Sequence, residues 1–192
     1  QASMQLFWEK CVEDTSMEEV AKCSGVGVAT VYRYFSTKIE LVIETAEFYW
    51  QKVAEKYLTE LEQTDTGYVQ LQKIMNVLER IFQEEKAFLK FLQEFDVFVK
   101  KYQISEERLT DYESGILRLK RYVTDALEKG LADESLFFTC SIDEMYFSLT
   151  HTLLAVMQKL AVGGEILSSD QAVEGNRQFR IVTELLLGGI KG

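Results

Sequence analysis

The 192-residue chain contains no proline. Proline removes a backbone donor and clashes with the preceding turn of a helix, so its absence suits a chain made of helices. Histidine occurs once, as His151, and the three cysteines, Cys11, Cys23 and Cys140, are odd in number and stand at no metal-ligand spacing. A zinc site and a disulfide framework are therefore not what organises the fold. Cys11 and Cys23 fall at the ends of two short helices and could be neighbours; small buried hydrophobes and a redox pair are the two readings. No apolar run approaches the ~18 residues of a membrane span, and no signal peptide is recognisable. Free thiols in the cytoplasm are the expectation that follows. Glycine-rich phosphate loops and nucleophile elbows are missing. Acid pairs such as Glu84-Glu85 and Glu106-Glu107 read as solvated helix ends, not as a catalytic couple. No enzymatic activity, cofactor or metal is expected.

What is present is helical periodicity. Apolar residues make up 47% of the chain and charged residues 27%, the balance of a globular protein. Spacings of three and four predict helices over residues 2–12, 37–62, 68–84, 86–102, 105–130, 142–162 and 174–190, with two short ones between 15 and 36. Strand alternation, internal repeats and low-complexity segments are not found. The turn cluster at 64–67 and the polar stretch 163–170 separate helices. Residues 131–140 read as irregular, with Leu136-Phe137-Phe138 as a buried loop. Gly115 inside a helix marks a kink or close packing. The chain opens on Gln1 within a helical pattern, and further residues, including a basic arm, are expected before it.

The stretch that organises the reading is residues 15–41, TSMEEVAKCSGVGVATVYRYFSTKIEL. Thr15 and Glu18 are spaced as a capping box, and Met17, Val20 and Ala21 share one face. Ser24-Gly25 stops the helix, since glycine takes the left-handed conformation without a Cβ penalty. Val28, Val31, Tyr32 and Phe35 form the inner side of a second short helix. Thr37 and Glu40 are spaced as another box, opening a helix too long for a three-helix head alone. Two short helices across a glycine turn are the sequence form of a helix-turn-helix, whose second helix reads the DNA major groove.

In the order Thr15-Ser16, Val20-Ala21, Gly25-Val26, Thr30-Val31-Tyr32, Phe35, Lys38 and Leu41, the chain resembles the N-terminal domain of the TetR (tetracycline repressor) family. The departure is Gly27, where the family usually has serine; glycine caps nearly as well but lacks a hydroxyl that could reach a phosphate. The resemblance implies an all-α fold, with a three-helix DNA-binding domain over 1–45 and a helical effector-binding and dimerisation domain over 46–192, about nine helices in all. The candidate DNA-contacting residues are Thr15, Ser16, Gly27, Val28, Ala29, Thr30, Arg33, Tyr34 and Lys38. Tyr34 and Lys38 are assigned to phosphates and Thr30 to base edges, with Tyr32 assigned to packing.

Net charge is −10, which taken over the whole molecule opposes DNA binding. Residues 20–39, however, hold Lys22, Arg33 and Lys38 and no acid. Screening limits electrostatic reach to ~8–10 Å, so the local sign governs.

The last two helices are apolar beyond one face. Ile142, Tyr146, Leu149, Leu153, Val156 and Leu160 make one stripe, which Met145, Phe147, Leu154 and Met157 widen. Phe179, Ile181, Val182, Leu185, Leu186, Leu187 and Ile190 nearly encircle the final helix. Such helices are buried on more than one side, which predicts a homodimer through 142–162 and 174–190. Trp50, Phe91, Phe95, Tyr112, Tyr146 and His151 are the candidate wall of a ligand pocket, with aromatic core and a partly buried histidine as the alternative reading. An aromatic wall in an acidic molecule predicts a lipophilic effector, neutral or cationic; Arg118 and Lys120 are the residues an anion would need. The function expected is a transcription regulator, a repressor released from a palindromic operator by that effector. The alternative is an all-α ligand-binding or protein-interaction dimer that no longer binds DNA.

Overall fold

A computed structural model describes residues 1–61, 66–163 and 168–192. Residues 64 and 65 of the turn cluster and the first part of the polar stretch lie outside the described residues; the helix expected to run to residue 62 ends at Tyr57, followed by a 3-10 turn over Leu58–Glu60. Nine α-helices are found among the described residues, and no strand beyond an isolated bridge between Leu136 and Lys191.

Helices α1 (Ala2–Lys10), α2 (Met17–Ser24) and α3 (Val28–Tyr34) form a small head against the start of α4 (Lys38–Tyr57). The α1 helix buries Met4 and Phe7, whereas Trp8 lies at the surface against the Tyr49 ring. The chain leaves α1 at Cys11, whose φ of 72° turns it sharply. That turn corrects the first capping box. Thr15 points inward, 2% exposed, and donates to the Cys11 carbonyl at 2.8 Å. Ser16 is the cap instead: its hydroxyl accepts from the Glu19 amide at 3.2 Å, and the Glu19 carboxylate accepts from the Ser16 amide at 2.9 Å. Gly25 ends α2 at φ 70°, the left-handed value that favours glycine. The inner side of α3 is also narrower than its periodicity predicts. Two turns dock through Val31 and Phe35, four residues apart, while Val28 and Tyr32 stay 39% and 44% exposed. Thr37 caps α4 by accepting from the Glu40 amide at 3.2 Å. The Glu40 carboxylate does not reach back; it pairs with Arg108.

The remaining helices are α5 (Gly67–Glu84), α6 (Lys86–Lys101), α7 (Thr110–Ala132), α8 (Ile142–Gly163) and α9 (Gly175–Ile190). The α5 helix packs on α7 and α9, and α8 on α6, α7 and α9. At the α5–α7 crossing the backbones touch: a Cβ on Gly67 would lie 2.0 Å from the Gly130 nitrogen. The turn after α7 caps α5, with Asp133 accepting from the Gly67 amide at 2.8 Å and Ser135 from the Tyr68 amide at 2.9 Å. Ser141 and Glu144 form a capping box at the start of α8. Two expectations fail here. Gly115 has only the Arg118 side chain near its missing Cβ, so of its two readings close packing is the one that fails. Phe137 is 69% exposed, because the segment alternates as a strand would, turning Leu136 inward and Phe137 outward beside Lys191.

Candidate DNA-reading head, lever and effector groove

The head presents one face of α3. Tyr34 is 70% exposed, and Arg33 lies over its ring with 5.4 Å from guanidinium to centroid. Ala29 and Arg33 are exposed and Thr30 is half-buried. Gly27 is the N-cap, its carbonyl accepting from the Thr30 amide at 2.8 Å, and the space a Cβ would occupy is open. Val28 and Tyr32 share the exposed surface. Thr15 is withdrawn from it by burial and by its bond to Cys11, which removes it from the DNA-contacting set. Ser16 has its hydroxyl engaged in the α2 cap. The Lys38 ammonium donates to the Glu13 carbonyl at 2.8 Å, so it is placed by the α1–α2 turn.

Three sets of contacts hold α4 along its length. At the head end, Arg108 reaches the Glu40 carboxylate at 3.2 Å. Midway, the Trp50 indole donates to the Tyr112 hydroxyl at 3.2 Å. At the far end, the Tyr57 hydroxyl lies 2.9 and 2.8 Å from the Glu84 and Glu85 carboxylates, and Lys56 pairs with both at 3.1 and 2.8 Å. Burial pushes the Tyr57 phenol up to about 12, and the Glu85 bond holds the Lys56 ammonium protonated well above its ordinary range. Glu84 and Glu85 are thus a clamp on α4 and not merely solvated helix ends.

A second tie, which sequence reasoning missed, runs from α6 to the head. Glu94 accepts from the Val12 amide at 2.8 Å, and Lys101 and Tyr102 reach Glu13 at 3.1 and 3.2 Å. Phe91 stacks on Phe7 with the ring planes 3° apart. These partners lie more than eighty residues apart, and no spacing rule joins them.

The expected pocket wall is only partly assembled. Trp50 and Tyr112 line a groove of about 480 Å³ between α4 and α7, and Phe95 backs the Tyr112 ring at 4.8 Å. Burial pushes the Tyr112 phenol up to about 12. Phe91 is a core residue between the head and Phe95. Tyr146 is buried beneath the Lys120 ammonium, 5.1 Å from its ring centroid. His151 is exposed on α8, 5.3 Å from the Phe147 ring, and lines no wall with the others. The groove adds Glu47, Glu55, Asp111 and Tyr122, which the expected wall did not include, and holds Arg118, one of the two residues an anion would need. The available signal was position, since Glu47 precedes Trp50 by one helical turn and Asp111 adjoins Tyr112. Lys120 is paired with Asp143 at 2.5 Å.

All three cysteines are free; Cys11 donates to Asp14 and Cys23 to Gln5. No group of metal-ligating side chains is found among the described residues, and no described helix is long and apolar enough to cross a membrane.

Residues 1–45 match the family described as bacterial regulatory proteins, tetR family. No curated relative matches the chain. Among solved structures, the ketosteroid transcriptional regulator KstR2 of Mycobacterium tuberculosis is similar with a TM-score of 0.70 at 16% identity, over 100% of this chain and 92% of that one. The TetR-family regulator PfmR of Thermus thermophilus gives 0.68 at 19% identity, over 97% and 94%. FadR of Bacillus subtilis, solved in complex with stearoyl-CoA, gives 0.68 at 16% identity, over 98% and 96%. The family match runs through the helices that form the head, residues 1–45, and the fold of the whole chain is similar to that of these regulators.

Proposed function

We propose that the protein is a transcriptional repressor that binds a palindromic operator as a homodimer and is released by a small lipophilic effector. Residues 1–45 read the DNA, and residues 46–192 bind the effector and dimerise. The observation that carries this reading is the exposed, acid-free face of α3, with Thr30, Arg33 and Tyr34 presented on a head that the family match covers. Arg33 and Tyr34 suit phosphates and Thr30 suits base edges, because phosphates position and base edges specify. Lys38, steadied by the Glu13 carbonyl, flanks them.

Release follows from the lever. The head is tied to α4 by the Ser3–Thr45 hydroxyl pair and to α6 at Glu94, and both helices run on to the aromatic groove and its backing. A ligand that spreads α4 from α7 shifts the head, and two recognition helices must keep a spacing of one DNA turn, ~34–36 Å, or a multiple. A coupling of ~1–3 kcal/mol relieves binding ~5–150-fold. The stearoyl-CoA bound by the Bacillus subtilis FadR is one lipophile that this fold accommodates.

Selection of duplex fragments from random DNA by the purified chain tests the reading. The expected result is a symmetric motif whose binding falls steeply with salt, because phosphate contacts release counterions. Recovery of no symmetric motif would favour a helical ligand-binding dimer without DNA.

A further inference from the structure

The α4–α7 groove carries an electrostatic pattern of its own. Its floor is aromatic: Trp50 and Tyr112 joined by one hydrogen bond, with Tyr122 beside them. Its rim holds three carboxylates, Glu47, Glu55 and Asp111, against the single guanidinium of Arg118. Glu55 accepts from Gln51 at 3.0 Å. Among the described residues the Glu47 and Asp111 carboxylates have neither a hydrogen-bond donor nor a salt-bridge partner. Arg108, at the adjoining end of the trough, is committed to Glu40. Burial, then the charges of Asp111 and Glu44, hold the Glu47 carboxyl above its ordinary range, as expected of a crowded acid without a counter-ion.

We infer that this groove binds a lipophilic organic cation, with Glu47 and Asp111 as the residues that select the charge. The inference rests on the effector-regulated reading above and adds the ligand's class. A cation entering between α4 and α7 supplies the positive charge those two carboxylates lack. Its flat or branched apolar body covers the rings, whose electron-rich faces attract positive charge. An anion of the same shape brings its charge against three carboxylates and has only Arg118 to meet it. A volume of about 480 Å³ holds an organic ion of several rings.

Tetraphenylphosphonium and tetraphenylborate test this directly, because they share a shape and differ in sign. Titration calorimetry on the full chain at fixed ionic strength should show the phosphonium binding and the borate binding at least tenfold more weakly. Glu47→Gln and Asp111→Asn should each weaken the phosphonium about tenfold, ~1.4 kcal/mol, with melting temperatures near that of the parent. Glu128→Gln, on an exposed part of α7, should leave it unchanged. The inference is overturned if the borate or stearoyl-CoA binds as tightly as the phosphonium. It is equally overturned if Glu128→Gln weakens the phosphonium as much as Glu47→Gln does, since that marks general attraction to an acidic surface. Operator binding is read separately. A chain that binds its symmetric duplex and ignores the phosphonium overturns the cation site alone. A chain that binds the phosphonium through Glu47 but no duplex supports the site and overturns the regulator reading.

Discussion

Gly27 is the residue at which the head departs from the pattern it otherwise resembles, and the space around it is open. A Cβ there meets nothing nearer than the Thr30 hydroxyl at 3.9 Å, and the backbone is in the extended region that any residue adopts. Gly27→Ser should therefore fit without strain and stabilise the head by a few tenths of a kcal/mol as a better cap. Its hydroxyl also stands where the first turn of α3 would meet a phosphate. Binding to operator and to unrelated duplex should tighten together, a gain that fluorescence anisotropy on both sequences resolves; tightening on the operator alone would place the serine at a base. A second residue-scale prediction concerns acid. The hydrogen bond from Lys10, with the Ser16 amide, holds Glu19 down to about 2 from an ordinary 4.5. A depressed folded-state value stabilises above the unfolded pKa and ceases to do so as pH falls through the folded one. The difference in melting temperature between the parent and Glu19→Gln should be constant above pH 5 and vanish between pH 4.5 and 2.

Among the elements, the α5–α7 crossing is the tightest. Helices separated by side chains normally lie 8–10 Å apart, whereas here the Gly67 and Gly130 backbones are in contact and the α5 cap is built by Asp133 and Ser135 from the turn beyond. Gly67→Ala would drive a methyl group into the backbone of α7, which has no soft side chain to yield. A loss of about 3 kcal/mol or more is expected, measured by urea unfolding of the purified chain. A loss below 1 kcal/mol would mean that the two helices part without cost. The α4 helix contrasts with this pair. It packs through buried side chains, Val42, Ala46, Tyr49 and Val53 among them, and adds polar ties at its ends and middle.

At the scale of the whole molecule, an uncovered apolar surface remains. Leu185 is 70% exposed, with Ile181 and Phe147 also at the surface and Val182, Leu186 and Leu154 half-buried. Monomers rarely leave a contiguous patch of this kind open, and a two-fold pairing of α8 and α9 would cover it. Leu185→Glu changes no core contact, so the fold should persist while the chain becomes monomeric. Sedimentation velocity should show the mass halve, and operator affinity should fall with it. An unchanged mass would show that this face is not the interface. The same arrangement would place His151, exposed beside Phe147, near the partner.

Local rules account for the helices. Each α-helix found overlaps a stretch that the period predicts, although α4 stops at Tyr57 and α7 starts only at Thr110, because 3.6-residue spacing, Gly25 in the left-handed region and the Ser141–Glu144 box act within a few residues of one another. The tetR resemblance of residues 1–45 was legible for the same reason: its motif is contiguous. Errors began where a side chain could turn either way. Which of Thr15 and Ser16 caps α2 depends on the turn at Cys11, and how far α3 buries Val28 and Tyr32 depends on the angle at which it docks. The ties from Glu94 to Val12, from Tyr57 to Glu84, and from Trp50 to Tyr112 join positions 82, 27 and 62 residues apart. No local pattern specifies such pairs; they exist because packed helices bring distant groups within hydrogen-bonding reach. Periodicity settles that a residue is apolar-facing, but only the packing of α4, α6 and α7 decides that Phe91 is core, that Trp50 and Tyr112 open onto a groove, and that Glu47 and Asp111 stand at its rim without a cation.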